Sequence, residues 1–128
     1  MEEKSLQEEE RRGGRNLLSL RKVNKIRKNS DFKEIFRSGK RKTGKNLTII
    51  FIEKKGFKFG ITFKKGVKSA VKRNRTKRRL TEIIRMRKEL MKKDIHIVTH
   101  LSKTAIDLSF DELSGEFNHL LKDANIIE

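Results

Sequence analysis

The sequence contains no cysteine, proline, tryptophan or tyrosine, and phenylalanine, present eight times, is its only large aromatic residue. The absence of Cys excludes disulfides and thiolate metal sites, which suits a reducing compartment. No apolar run approaches the roughly 20 residues of a membrane span, and the opening MEEKSLQEEERR lacks the basic start and apolar stretch of a signal peptide. Because 128 residues are too few for two domains of usual size, we expect one cytoplasmic domain.

What the sequence has in excess is positive charge. Thirty-four Lys and Arg residues against 17 Asp and Glu give a net charge of +17. The charge is uneven: residues 1–20 hold five acids and four bases, whereas residues 64–93 hold fourteen bases and two acids. Lysines scattered over a surface are ordinary, but so dense a segment favours binding to a polyanion, and nucleic acid is the expected class.

The chain divides into a polar N-terminal tail, residues 1–20, predicted to be mobile, and one RNA-binding domain, residues 21–128. A short helix opens the domain. Its apolar stripe is Phe32, Ile35 and Phe36, Asp31 and Glu34 have the spacing of a capping box, and Gly39 is a suitable stop.

The rest of the domain alternates between strand and helix patterns. Residues 47–53 and 57–63 are rich in β-formers and are separated by a short Gly-containing turn, so we predict an antiparallel hairpin. A long helix over 69–92, a strand over 94–99 and a closing helix over 110–122 follow. The basic segment 40–46 is interpreted as a connection, and one further strand is allowed between the predicted pair of strands and the long helix. The predicted fold class is α+β, with helices packed on a small central sheet.

The long helix has two faces. Its packing stripe comprises Thr76, Leu80, Ile83, Ile84, Arg87, Leu90 and Met91. The opposite face carries Asn74, Arg78, Thr81 and Arg85, which are predicted to be free for a partner.

The head of that helix, AVKRNRTKRRL over residues 70–80, is the motif with the clearest chemistry. Arg guanidinium groups fit phosphate oxygens bidentately, Lys is a compact point charge, and Asn can pair with a base or sugar edge. The plainer interpretation is an exposed basic helix, like many others.

The wider context resembles a known family. The stretch FGITFKKGVKSAVKRNRTKRRL is similar to the signature of the ribonuclease P protein family, and IRKNSDFKEIF is similar to the family's first helix. The resemblance covers roughly residues 21–122. It implies the protein subunit of a ribonucleoprotein endonuclease, in which the RNA subunit performs the hydrolysis with bound Mg²⁺ and the protein supplies no catalytic residue and binds no cofactor alone. The implied partners are ribonuclease P RNA and the 5′ leader of precursor tRNA, with no membrane and no obligate protein partner. A left-handed crossover around the long helix is also implied.

The resemblance also assigns site residues. The implied RNA-binding residues are Lys64, Lys65, Lys72, Arg73, Asn74, Arg75, Lys77, Arg78 and Arg79. A cleft for the leader is implied at Phe32, Phe36 and Ile50. Two positions depart from the family: Lys68 stands where Gly is usual, and Ile50 stands where members often have Tyr or Phe. Phe residues four apart on a short helix are, in the plainer interpretation, core residues that fix the helix to the sheet.

Two other classes remain as alternatives. A ribosomal or nucleoid protein would share the charge but would not need a Phe-bearing helix beside a basic one. A stand-alone nuclease would need a catalytic cluster, and His96, His100 and His119 do not have the spacing of a zinc site.

Overall fold

The computed structural model describes residues 24–127. The predicted tail, 1–20, lies outside the described residues, as do the first three residues and the last residue of the predicted domain. Within 24–127 no helix is long and apolar enough to cross a membrane. Three helices and four strands make up the fold: α1 (Asn29–Ser38), β1 (Lys40–Thr43), β2 (Leu47–Glu53), β3 (Lys58–Phe63), α2 (Ala70–Arg87), β4 (Ile95–Leu101) and α3 (Phe110–Asp123). Short 3₁₀ turns follow α2 (Lys88–Leu90) and precede α3 (Lys103–Asp107).

The strands form one mixed sheet in the order β1-β2-β4-β3. β1 and β4 pair antiparallel with β2, and β3 pairs parallel with β4. The predicted hairpin of β2 and β3 is therefore wrong, because β4 lies between them. The turn that joins them crosses the start of β4, where Asp94 accepts the Gly56 N–H through its carboxylate (2.9 Å) and the Lys54 N–H through its carbonyl (3.2 Å). The mostly buried β4 takes a central place, and the segment predicted as a basic connection supplies the exposed edge strand β1.

The crossover from β3 through α2 to β4 is left-handed, as the family resemblance implied. Phe59 packs in the same core as Leu80 and Ile83 of α2, so its side chain points to the α2 side. Consider β3 viewed from the α2 side, with its chain direction pointing up. Because the residues are L-amino acids, a residue whose side chain points toward the viewer has its backbone N–H and C=O on the right. The Phe59 carbonyl accepts the Ile26 N–H at the outer edge of the sheet (2.8 Å). In this view the outer edge of the sheet is to the right of β3, and β4 is to its left. The connection from β3 through α2 to β4 therefore moves to the left, whereas the usual right-handed crossover moves to the right.

Side-chain alternation along the strands gives the sheet an apolar layer on each face. The larger core lies under α2 and α3 and includes Ile49, Ile97 and Phe117. The smaller core lies under α1 and consists of Ile26, Ile35, Ile50 and Val98, flanked by Phe32, Phe36 and Ile52. Ile50 has no exposed surface. Its predicted place in the lining of an open cleft is wrong, because its position on β2 points it into the layer beneath α1.

The helix ends also differ from expectation. α1 begins at Asn29 without a side-chain cap, and Glu34 accepts a hydrogen bond from Lys54 Nζ (2.9 Å) rather than completing a capping box. Gly39 ends α1 in an extended conformation, and a Cβ there would lie 2.5 Å from the Ile35 carbonyl oxygen, so close packing explains the glycine. α2 ends at Arg87, five residues before the predicted end, and Leu90 is 60% exposed rather than part of the stripe.

Replacing Glu116 tests how the sheet is tied to α3. Its carboxylate accepts hydrogen bonds from the Asn46 backbone N–H (2.7 Å), Asn46 Nδ2 (2.8 Å) and the Leu47 N–H (3.1 Å). We expect Glu116→Ala to lower the free energy of unfolding by about 2–3 kcal/mol, because partly buried donors lose a charged acceptor. Urea unfolding measures the loss. Asp111→Ala, which removes an exposed acid of the same helix, should cost less than about 1 kcal/mol, and equal losses would contradict the role given to Glu116.

Candidate nucleic-acid interface

The loop before α2 and the first turns of the helix are fixed by hydrogen bonds. Ser69 caps the helix by accepting the Lys72 N–H (3.2 Å), and the Lys64 N–H donates to the Leu101 carbonyl at the end of β4 (2.7 Å). Arg73 turns back and donates from Nη1 to the Val67 carbonyl (2.7 Å). Arg73 is therefore only half-exposed, with one side of its guanidinium holding the loop on which Lys64 and Lys65 lie.

One side of α2 is committed to contacts within the protein. Arg75 Nη2 donates to the Ile106 carbonyl (3.2 Å), and Arg79 Nη1 donates to the Leu108 carbonyl (2.9 Å). Lys72 Nζ lies 3.4 Å from the Asp107 carboxylate in the same segment. These three cations, all predicted to bind RNA, attach the 3₁₀ turn before α3 to the helix. The partly buried carbonyls of Ile106 and Leu108 depend on the two arginines as donors.

The other side of α2 faces solvent and a hollow. Asn74, Lys77 and Arg78 are exposed, and Lys77 and Thr81 help to line an open hollow of about 220 Å³. We call it the edge groove, because it follows the outer edge of β3; its lining is Lys25, Ile26, Phe32, Phe59, Gly60, Ile61, Lys77 and Thr81. Four of these residues have apolar side chains, and Lys25 and Lys77 add two cations to the lining.

Gly60 lets α1 close one wall of the edge groove. A Cβ on Gly60 would lie 2.6 Å from Cε1 of Phe32. The absence of a side chain thus allows the Phe32 ring to lie directly on β3. Phe32 is half-buried, so part of the ring packs on the smaller core and part remains accessible from the groove.

Phe36 lies on the same face of the sheet, farther from α2. Its ring meets His100 edge-on at 5.9 Å, and the Arg41 guanidinium lies over it at 5.8 Å. Arg41 Nη2 also donates to the Phe36 carbonyl (3.0 Å), and Thr62 Oγ1 is 2.8 Å from His100 Nδ1. We call Phe36, Arg41, Thr62 and His100 the sheet-face site.

The charge around the sheet-face site is positive. Burial lowers the pKa of His100, and the cations of Arg41 and Lys64 lower it further. The imidazole is therefore neutral at neutral pH and can both donate and accept a hydrogen bond. Because Gly60 and Thr62 are alternate residues of β3, the edge groove and the sheet-face site adjoin on one face.

The structure brings some of the sequence-predicted residues together and separates others. Phe32 and Lys77 meet at the edge groove, and Phe36 lies at the sheet-face site, where the charge of Lys64 acts on His100. Arg75 and Arg79 face the 3₁₀ turn instead, and Ile50 is buried. Sequence reasoning missed Lys25, Arg41 and His100 as site residues. His100 lies opposite Thr62 in the β3–β4 pair. His100 could be identified as a site residue only once that strand pairing was known.

Known proteins share both the sequence and this architecture. The family model described as Ribonuclease P matches residues 20–125. The ribonuclease P protein component of Alkaliphilus oremlandii is 35% identical over 111 residues, which are 84% of this chain and 96% of that protein. The protein component of Staphylococcus carnosus is 35% identical over 112 residues, covering 84% and 95% of the two chains.

Solved structures agree. A Staphylococcus aureus RNase P protein mutant with defective mRNA degradation activity superimposes with a TM-score of 0.76 at 26% identity, covering 83% of this chain and 92% of that one. The RNase P protein from Thermotoga maritima gives a TM-score of 0.70 at 27% identity, covering 77% and 96%. Together with the cationic α2 and the two α1 phenylalanines, these matches show that the chain belongs to the ribonuclease P protein family.

Proposed function

We propose that this protein binds ribonuclease P RNA through the exposed side of α2 and binds the 5′ leader of precursor tRNA along the edge groove and the sheet-face site. By holding both, it promotes the Mg²⁺-dependent endonucleolytic removal of the leader, while the RNA subunit performs the hydrolysis. The observation that carries the proposal is the continuity of one surface, in which the cation Lys77 of α2 borders a hollow walled by the Phe32 ring.

Electrostatics supports the α2 part of the proposal. Two folded RNAs repel each other, and a cationic body between them lowers that repulsion and the Mg²⁺ concentration needed to offset it. In the described part of the chain, Lys77 and Arg78 have no carboxylate partner, in contrast to Lys72, which lies beside Asp107. Their charge is therefore available to phosphates.

The two phenylalanines support the leader part. Single-stranded nucleotides stack on aromatic rings with about 1–3 kcal/mol per base and with little dependence on sequence, which suits leaders of varied sequence. Phe32 and Phe36 are both half-buried, so each can fix α1 to the sheet and still offer ring surface. The packing role and the stacking role are thus compatible.

Chemistry is assigned to the RNA in this proposal. Among residues 24–127, no three His, Asp or Glu side chains come together as a candidate metal site. The protein residues named above bind and position the two RNAs, and Mg²⁺ enters with the RNA subunit.

Reconstitution tests the proposal as a whole. The purified protein is mixed with a bacterial ribonuclease P RNA and precursor tRNA at low Mg²⁺. We expect cleavage at the 5′ end of the mature tRNA to be stimulated. Indifference to the RNA subunit would favour a ribosomal or nucleoid-type binding protein, and cleavage without that RNA would favour a stand-alone nuclease.

Arg78 and Arg79 provide a matched pair of substitutions on α2. Arg78→Ala should weaken binding to ribonuclease P RNA and reduce the slope of log affinity against log salt by nearly one, since about one counterion fewer is released. Arg79→Ala should leave that slope nearly unchanged and should lower the free energy of unfolding by about 1–2 kcal/mol, because the Leu108 carbonyl loses its donor. Filter binding over a salt series and urea unfolding measure the two effects. A similar change in slope for both variants would contradict the division of α2 into two sides.

The leader contact is tested by replacing each ring with a branched aliphatic side chain. We expect Phe32→Leu and Phe36→Leu to weaken binding of precursor tRNA to the reconstituted holoenzyme about tenfold, through lost stacking, and to leave mature tRNA affinity unchanged. Phe57→Leu is the control, because Phe57 stacks on Phe59 (6.4 Å) and does not line the groove. If precursor and mature tRNA lose affinity equally, the rings have only a packing role.

A further inference from the structure

A second cationic surface lies across the sheet from the edge groove. It comprises Arg37 at the end of α1, Lys40, Arg41 and Lys42 of β1, and Lys45 in the loop that follows; we call it the β1 patch. All five side chains are exposed, and no acid interrupts residues 37–45. β1 and β3 are the two edges of the four-stranded sheet, so they are separated by about 14 Å, or three strand spacings.

Four of the five cations of the β1 patch lack the local counter-charges that other exposed cations have; Arg37 is the exception, because its charge interacts with that of Glu34. Within residues 24–127, ion pairs join Lys54 to Glu34, Lys72 to Asp107, Arg85 to Glu82 and Lys92 to Glu53, and none involves the patch. Glu116 comes close to Gly44, but its oxygens accept hydrogen bonds from Asn46 and Leu47. The other four cations of the patch therefore present uncompensated positive charge.

Protection of an edge strand explains only part of this charge. Lysines on an edge strand discourage pairing with other chains, and Lys40 and Lys42 fit that role. Arg37 and Lys45 lie outside β1, on α1 and in the following loop. Arg41 is oriented differently, since it is held over the Phe36 ring and donates to the Phe36 carbonyl.

Arg41 makes the patch continuous with the sheet-face site. Its guanidinium lies 5.8 Å from the ring centre of Phe36, which in turn meets His100 beside Thr62. Arg41 pairs with Ile50 and shares its face of the sheet, whereas Lys40 and Lys42 pair with Phe51 and Ile49 and project from the other face of the same exposed edge. A strand whose base stacks at Phe36 would have its adjoining phosphate beside Arg41, and its next phosphates would pass around that edge to reach Lys40, Lys42 and Lys45. Lys and Arg contacts to successive phosphates on a surface with stacking rings are typical of single-strand binding.

From this arrangement we propose that the β1 patch binds phosphates of the 5′ leader upstream of the nucleotides held at the edge groove and the sheet-face site. The inference rests on the proposed function and deepens it by making affinity depend on leader length. The leader is the favoured occupant because the patch adjoins the sheet-face site, whereas the α2 residues assigned to the RNA subunit lie near β3, at the opposite edge of the sheet.

The test compares precursors with different leaders. The variant is Lys40→Ala/Lys42→Ala/Lys45→Ala, which leaves Arg41 in place and changes only exposed side chains. Wild-type and variant holoenzymes are titrated with mature tRNA, with a precursor carrying a short leader and with one longer by about ten nucleotides, within the range of small single-strand sites. We expect the variant to bind the long-leader precursor about tenfold more weakly, with a salt slope smaller by about 2, and to bind the other two ligands as the wild type does.

A charge-matched control and the opposing outcomes make the test decisive. Lys55→Ala/Lys93→Ala/Lys122→Ala removes three exposed lysines elsewhere and should leave the preference for the long leader intact. Equal weakening of all three ligands by the β1 variant would overturn the inference in favour of a contact with the RNA subunit, and no weakening would mean that the charge is only solvated. A wild-type holoenzyme with no preference for precursor over mature tRNA would instead contradict the proposed function itself. Thermal unfolding of both variants verifies that they fold.

Discussion

The position of β4 between β2 and β3 is the constraint on which the rest of the structure depends. It is buried on both faces, so one set of alternate side chains packs under α2 and α3 and the other under α1. The parallel pairing of β3 with β4 requires a crossover, and α2 supplies it. Because that crossover is left-handed, α2 lies on the face of the sheet opposite α1, and at the outer edge of β3 its Lys77 lines the same hollow as Phe32.

The basic helix is not uniformly a binding surface. Arg73, Arg75 and Arg79 donate to backbone carbonyls of the loop before α2 and of the segment before α3. Lys77 and Arg78 point away from those contacts and are exposed. An arginine suits the first task because its fork of donors reaches a carbonyl while its stem packs on the protein. A run of cations in sequence thus divides into residues that shape the surface and residues that present charge on it.

The sequence allowed α2, α3 and the existence of three strands to be predicted, because their periodicity is local and their apolar positions are many. Strand order could not be predicted, since the short turn between β2 and β3 looks like a hairpin turn and only the burial of β4 excludes it. Ile50 was placed in the cleft by the family resemblance, and the sequence pattern could not correct this, because on a nearly all-apolar strand alternation does not show which residues point to which layer. The division of α2 into a packing face and an exposed face was correct in outline. The roles of Arg75 and Arg79 could not be predicted, because both donate to carbonyls of the segment before α3, about thirty residues away in sequence.

Under the proposed function, the separation of the two surfaces has a consequence for turnover. A protein that gripped the catalytic RNA and the leader with the same cations would bind substrate and product with similar strength, and uniform binding does not help release. Here the contacts assigned to the catalytic RNA lie on the exposed side of α2, and most of those assigned to the leader lie on α1, β3, β4 and β1, with Lys77 at the border between the two surfaces. Only the second set is lost when the leader is cut away, so the affinity difference between precursor and product is concentrated in groups that the mature tRNA never touches. The placement of Phe36 and Arg41 across the sheet from α2 is what makes that division possible.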